Sequence, residues 1–212
     1  MHTVRTKVCG LTDPHALSAA IAAGAAYLGF VFFPRSPRNL DIEPATALVA
    51  SVPPGIAKVG LFVDPEPEAL QAVLARVPLD IIQLHGRETP ETVAATRAQT
   101  GLPVMKAIGV AEAEDIERIA DYEAVADQIL VDAKPPKNAS RPGGNGLAFD
   151  WRLIAGRRWA KPWMLAGGLT PENVEEAVRR TGARQVDVSS GVESAPGHKD
   201  PAAIRAFLAA VP

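Results

Sequence analysis

Short, nearly continuous apolar runs are separated along this chain by segments whose apolar positions recur every three or four residues. The runs fall at 6–9, 27–33, 57–63, 80–84, 104–108, 128–131, 163–166 and 185–189. Runs without polar alternation fit strands buried on both faces, as in a parallel sheet. Between them, Leu17, Ala20, Ile21 and Gly24 keep helical spacing, as do Leu70, Val73, Leu74 and Val77, and near the far end Ile204, Phe207, Leu208 and Val211. Asp13-Pro14, Thr89-Pro90 and Thr170-Pro171 read as helix starts. In each, a capping acceptor precedes a proline whose missing N–H would be an orphan in the first turn anyway. The sixth helix is the shortest, a turn or two around 150–154. Eight strand-then-helix units over residues 1–212 predict an α/β fold, a single-domain (β/α)8 barrel. An open doubly wound sheet is the rival. The barrel is favoured because no linker divides the chain in two and because the pattern ends on a helix, as an eighth unit should.

Charge narrows the partners. Lys and Arg number 22 against 24 Asp and Glu, a net charge of −2, which argues against nucleic acid. The apolar runs are too short to span a bilayer, and 47% hydrophobic residues suffice for a full core. The single cysteine excludes an intrachain disulfide framework, and no signal peptide opens the chain, so a cytoplasmic protein is expected. In that setting the sequon Asn138-Ala139-Ser140 carries no meaning.

Barrels of this kind place their chemistry on the loops after the strands. Gly167-Gly168 and Ser189-Ser190-Gly191, after strands seven and eight, suit a phosphate held by backbone amides; the plainer reading is a pair of tight turns. Gly143-Gly144-Asn145-Gly146 either closes over a ligand or is merely loose. Cys9 is either a small buried hydrophobe or, with a modestly depressed pKa, a base. Asp132 either caps a turn, pairs with Lys134, or acts as an acid across the barrel from Cys9. Arg38 could meet a carboxylate through its planar fork, or be an ordinary solvated arginine. His2, His15, His85 and His198 show no metal-ligand spacing, so no metal is expected and His85 is a weak candidate. Strand alternation adds one geometric expectation. If Cys9 and Ser189 face inward, so do Lys7 and Asp187, one layer deeper, as a buried ion pair.

The motifs Lys7-Val8-Cys9-Gly10-Leu11, Gly29-Phe30-Val31-Phe32, Ser36-Pro37-Arg38, Val59-Gly60-Leu61-Phe62-Val63 and Gln83-Leu84-His85-Gly86 bring the first half of the chain close to one family. Leu130-Val131-Asp132-Ala133-Lys134, Gly146 with Phe149-Asp150-Trp151, the stretch from Leu165-Ala166-Gly167-Gly168 to Asn173-Val174, and Val186-Asp187-Val188-Ser189-Ser190-Gly191-Val192-Glu193 do so for the second. Over nearly its whole length the chain resembles the phosphoribosylanthranilate isomerases of tryptophan biosynthesis. The resemblance implies a cofactor-free Amadori rearrangement of a small phosphorylated aminoaldose. It assigns Cys9 as general base, Asp132 as general acid, Arg38 to the anthranilate carboxylate, and Gly167-Gly168 with Ser189-Ser190-Gly191 to the phosphate. Monomer and homodimer stay equally open. The rivals are a related aminoaldose isomerase, expected to carry aspartate at the Cys9 position, a metal-dependent epimerase, which needs clustered histidines, and a non-catalytic phosphate-ligand binder.

Overall fold

A computed structural model describes residues 4–134, 143 and 149–212. Eight parallel strands form: β1 (Arg5–Cys9), β2 (Tyr27–Phe32), β3 (Ala57–Phe62), β4 (Ile81–Leu84), β5 (Val104–Val110), β6 (Gln128–Ala133), β7 (Trp163–Leu165) and β8 (Gln185–Val188). Each pairs with the next, and β8 pairs back onto β1, closing the barrel. That closure disposes of the open-sheet alternative.

The continuous apolar runs have a direct cause. Outward residues such as Val8, Phe30, Ile82 and Val186 pack against a helical shell, while Tyr27, Val59, Met105, Leu130 and Met164 fill the barrel interior. The shell comprises α1 (Pro14–Ala22), α2 (Ile42–Ala50), α3 (Pro67–Leu74), α4 (Pro90–Thr100), α5 (Ala113–Glu117), α6 (Ile119–Glu123), α7 (Val174–Thr181) and α8 (Pro201–Ala210). Asp13 caps α1, accepting from the N–H groups of His15 and Ala16, and Thr89 caps α4, accepting from Thr92. Burying the Leu17, Leu48, Val93, Ile204 and Phe207 side chains on the sheet contributes roughly 1.5–3 kcal/mol each.

Two features depart from the expected pattern, the turn at Thr170 and a hairpin after β8, while the short sixth helix forms where it was expected. Thr170 does not cap a helix, because α7 starts only at Val174. Asn173 instead ties the intervening turn, accepting from Thr170 N–H (2.8 Å) and donating to the Gly168 carbonyl (2.9 Å). The sixth unit has one 3-10 turn, Trp151–Leu153, capped by Asp150. Finally, a short hairpin of β9 (Glu193–Ala195) and β10 (His198–Lys199) follows β8. Its turn residue Gly197 has φ +85° and sits where a Cβ would press on the Pro37 carbonyl, so the hairpin lies against the loop after β2.

Candidate active site

The carboxyl ends of the strands surround a cavity of about 780 Å³, including its open mouth. Cys9, Arg38 and Asp132 all face it. So do Gly143, the Gly167-Gly168 turn and the Ser189-Ser190-Gly191 turn. Gly144 and Gly146 lie outside the described residues. His85 also lines the cavity, a larger part than its histidine spacing suggested.

Cys9 closes β1 opposite Gly29, where a Cβ would stand 2.8 Å from the sulfur; glycine leaves the thiol its space. One pleat deeper on the same strand, Lys7 is fully buried and donates to Asp187 Oδ1 at 2.9 Å. β1 and β8 pair with Lys7 beside Asp187, so the expected ion pair is present. Burial pushes the Cys9 thiol above its ordinary range, and the attraction of Lys7 and Lys199 does not overcome it. The modest depression that would make Cys9 a ready base is not what its surroundings produce, since burial at the strand end raises the thiol instead. Burial disfavours the Lys7 charge too, but Asp187 and Cys9 outweigh it and hold the ammonium above its usual value.

On the opposite wall, no lysine among the described residues is in contact with Asp132. Asp132 Oδ1 accepts from Ala133 N–H at 2.8 Å, and Oδ2 lies 3.2 Å from His85 Nε2. His85 Nδ1 in turn lies 2.9 Å from the carboxamide nitrogen of Gln83. Lys134 does not pair with Asp132; it reaches Asp115 at 2.7 Å. The loop carrying His85 is fixed from behind. Lys106 donates to Glu88 (2.6 Å) and the Gly86 carbonyl (2.9 Å), and Glu88 accepts from Asp64 and Gly86 N–H. Gly143 covers the pair so closely that a Cβ would sit 2.7 Å from His85 Nε2 and 2.9 Å from Asp132 Oδ2.

Between these walls lie the two small-residue turns. Gly167 and Gly168 both take positive φ, +86° and +61°. Gly191 packs onto the Leu169 carbonyl without room for a Cβ, so the two turns form one continuous lip. Their small residues leave the backbone open to the cavity.

The rim holds a charge cluster that residue-type reasoning did not find. Arg38 is buried and donates from Nε and Nη2 to the two Glu193 oxygens at 2.6 and 2.7 Å. Lys199 donates to Glu193 (2.7 Å) and to the Ser189 carbonyl (2.9 Å) and hydroxyl (3.2 Å). Burial lowers Lys199 to about 8, against the pull of Glu193. Arg38 and Lys199 together outweigh burial and hold the Glu193 carboxyl below its usual range. The one hint in sequence was the short spacing from Ser189-Ser190 to Glu193, at the strand end already singled out.

A closed eight-stranded barrel with a carboxyl, a thiol and two glycine-containing turns after strands seven and eight around one mouth has the layout of the barrels that frequently hold phosphorylated small molecules. The comparisons narrow the class. The family model for N-(5'phosphoribosyl)anthranilate (PRA) isomerase matches residues 6–210. The N-(5'-phosphoribosyl)anthranilate isomerase of Paracoccus denitrificans is 65% identical over 206 residues, 97% of this chain and 96% of the relative. The crystal structure of phosphoribosyl anthranilate isomerase from Thermotoga maritima superimposes with a TM-score of 0.88 at 38% identity, covering 98% of each chain. A phosphoribosyl anthranilate isomerase crystallised with reduced 1-(o-carboxyphenylamino)-1-deoxyribulose 5-phosphate gives 0.85 at 36%, with the same coverage. The chain belongs to the N-(5'-phosphoribosyl)anthranilate isomerase family.

Proposed function

We propose that this chain converts N-(5'-phosphoribosyl)anthranilate to 1-(2-carboxyphenylamino)-1-deoxyribulose 5-phosphate, as a cytoplasmic step of tryptophan biosynthesis, with Asp132 as general acid and Cys9 as general base. Asp132 protonates the furanose ring oxygen, the ring opens, and a protonated Schiff base forms. That iminium makes the neighbouring carbon acidic. Cys9 takes the proton, and the resulting enolamine ketonises to the product. The lip at Gly167-Gly168 and Ser189-Ser190-Gly191 seats the phosphate, and Arg38, steadied by Glu193, meets the anthranilate carboxylate. Anchoring both ends of the substrate holds its reacting carbons between acid and base, which makes the proton transfers effectively unimolecular.

The supporting observation is that Cys9 from β1 and Asp132 from β6 line one cavity with the two small-residue turns. Burial disfavours the Cys9 thiolate, so the thiol gives its own proton to solvent before it takes one from the substrate. It is a strong base when ionised, and the buried Lys7 below it favours that ionised form. Turnover of phosphoribosylanthranilate, followed by loss of its fluorescence, tests the proposal. Wild type should turn over and Cys9→Ser should not, while still binding substrate. Full turnover by Cys9→Ser would remove the thiol from the reaction.

A further inference from the structure

We propose that Gln83 and His85 are positioning residues that load Asp132 with its proton, the orientation of the Gln83 carboxamide setting which ring nitrogen of His85 is protonated. The inference rests on Asp132 being the acid. An aspartate that must deliver a proton needs a neighbour able to hold it, and His85 is the titratable side chain in contact with it among the described residues.

In the structure the Gln83 nitrogen donates to His85 Nδ1. A nitrogen donor there calls for the lone pair on Nδ1 and the ring proton on Nε2, which lies 3.2 Å from Asp132 Oδ2. This arrangement leaves Gln83 Oε1 buried without a partner, in a side chain with no solvent exposure. Turning the carboxamide over exchanges that oxygen with the nitrogen at His85, so either orientation leaves one buried polar atom unpaired and neither is strongly preferred. Turned over, Oε1 accepts from a protonated Nδ1. The His85–Asp132 pair then holds one proton more, taken from water. That second proton lies between Nε2 and Oδ2, where Asp132 can pass it to the substrate ring oxygen while Nδ1 keeps its own. Gly143 covers the Nε2–Oδ2 contact, limiting exchange with solvent from above.

Among the described residues, the other charged and titratable groups facing the pair across the cavity are Cys9 from β1, Asp187 from β8 and Arg38 from the loop after β2. Behind the β4 loop, Lys106 and Glu88 are paired with each other, and Asp64 accepts from Arg87 N–H. Lys134, the next residue but one after Asp132, is paired with Asp115.

Nitrogen NMR of the wild-type His85 ring, assigned by its loss in His85→Gln, reads the coupling directly. At alkaline pH the proton should be on Nε2 alone, and on acidification Nδ1 should gain one in step with the rise in kcat. Gln83→Met removes the acceptor. It should move both the Nδ1 titration and the alkaline limb of kcat to lower pH and cut kcat by about tenfold at neutral pH, with KM little changed. Gln83→Glu supplies a fixed acceptor and should move both to higher pH. Limbs that stay in place in both folded variants, or an Nδ1 proton present throughout in wild type, would overturn the inference. Undiminished turnover by Asp132→Asn would overturn the acid role itself, and the ring nitrogens would still report whether Gln83 sets the tautomer.

Discussion

The β1–β8 side of the cavity and its β4–β6 side differ in where their proton control comes from. Around Cys9 the environment is ionic: Lys7 and Asp187 lie below, and Lys199 and Glu193 stand at the rim. Among the described residues, Asp132 is in contact with a backbone amide and an imidazole, and the nearest ion pairs are turned elsewhere. A base must be ionisable, and buried ammonium groups favour a thiolate. An acid must retain a proton, and a lysine in contact would strip it. The same buried setting thus serves two opposite needs through the sign and placement of its neighbours.

The largest effects should come from removing the two groups themselves. Cys9→Ser and Asp132→Asn should each lose about 10²–10⁴-fold in kcat in the fluorescence assay, the usual worth of a positioned acid or base. If one variant lost far less than the other, the two-sided division of labour would break on that side. Next comes Lys7→Met, which strands the Asp187 charge in the interior. Breaking a buried pair in this way costs about 3–5 kcal/mol, measurable as a fall in the denaturation midpoint, and Lys7→Met with Asp187→Leu should recover much of it. Third, Glu193→Gln frees the grip on Arg38 and should raise KM about tenfold, near 1.4 kcal/mol, with kcat nearly kept. The smallest effect sharpens the ionic side. Because burial raises the Cys9 thiol, its thiolate fraction falls with each unit of pH below that raised value. Alkylation by iodoacetamide should therefore still be accelerating with pH beyond the ordinary thiol value of about 8.5. In Lys199→Met the curve should barely move, because Lys199, lowered to about 8, has already lost most of its charge there. A plateau below pH ~8.5 in wild type would mean the lysines, not burial, dominate.

Much of this was legible before any coordinates. Strands buried on both faces leave continuous apolar runs, and their inward alternation placed Lys7 opposite Asp187. The glycine turns and the thiol stood out because their residue types are unusual at strand ends. What escaped notice shares a cause: it depends on contacts between distant segments. Gln83 reads as one polar interruption in an apolar strand, and only its distance to His85 gives it a role. Glu193 and Lys199 sit in strands of three and two residues, too short to show a period. Thr170 carries the features of a cap, yet Asn173 takes over the turn.

The rim cluster has a consequence for how a ligand arrives. Among the described residues of the rim, two cations, Arg38 and Lys199, meet the one Glu193 carboxylate, on a molecule whose overall charge is −2. A small dianion is repelled by the molecule at large yet drawn in over the last few ångströms, a focusing that dissolved ions weaken within about 10 Å at 0.1 M. Encounter, rather than the proton transfers that follow, is the stage at which added salt should be felt.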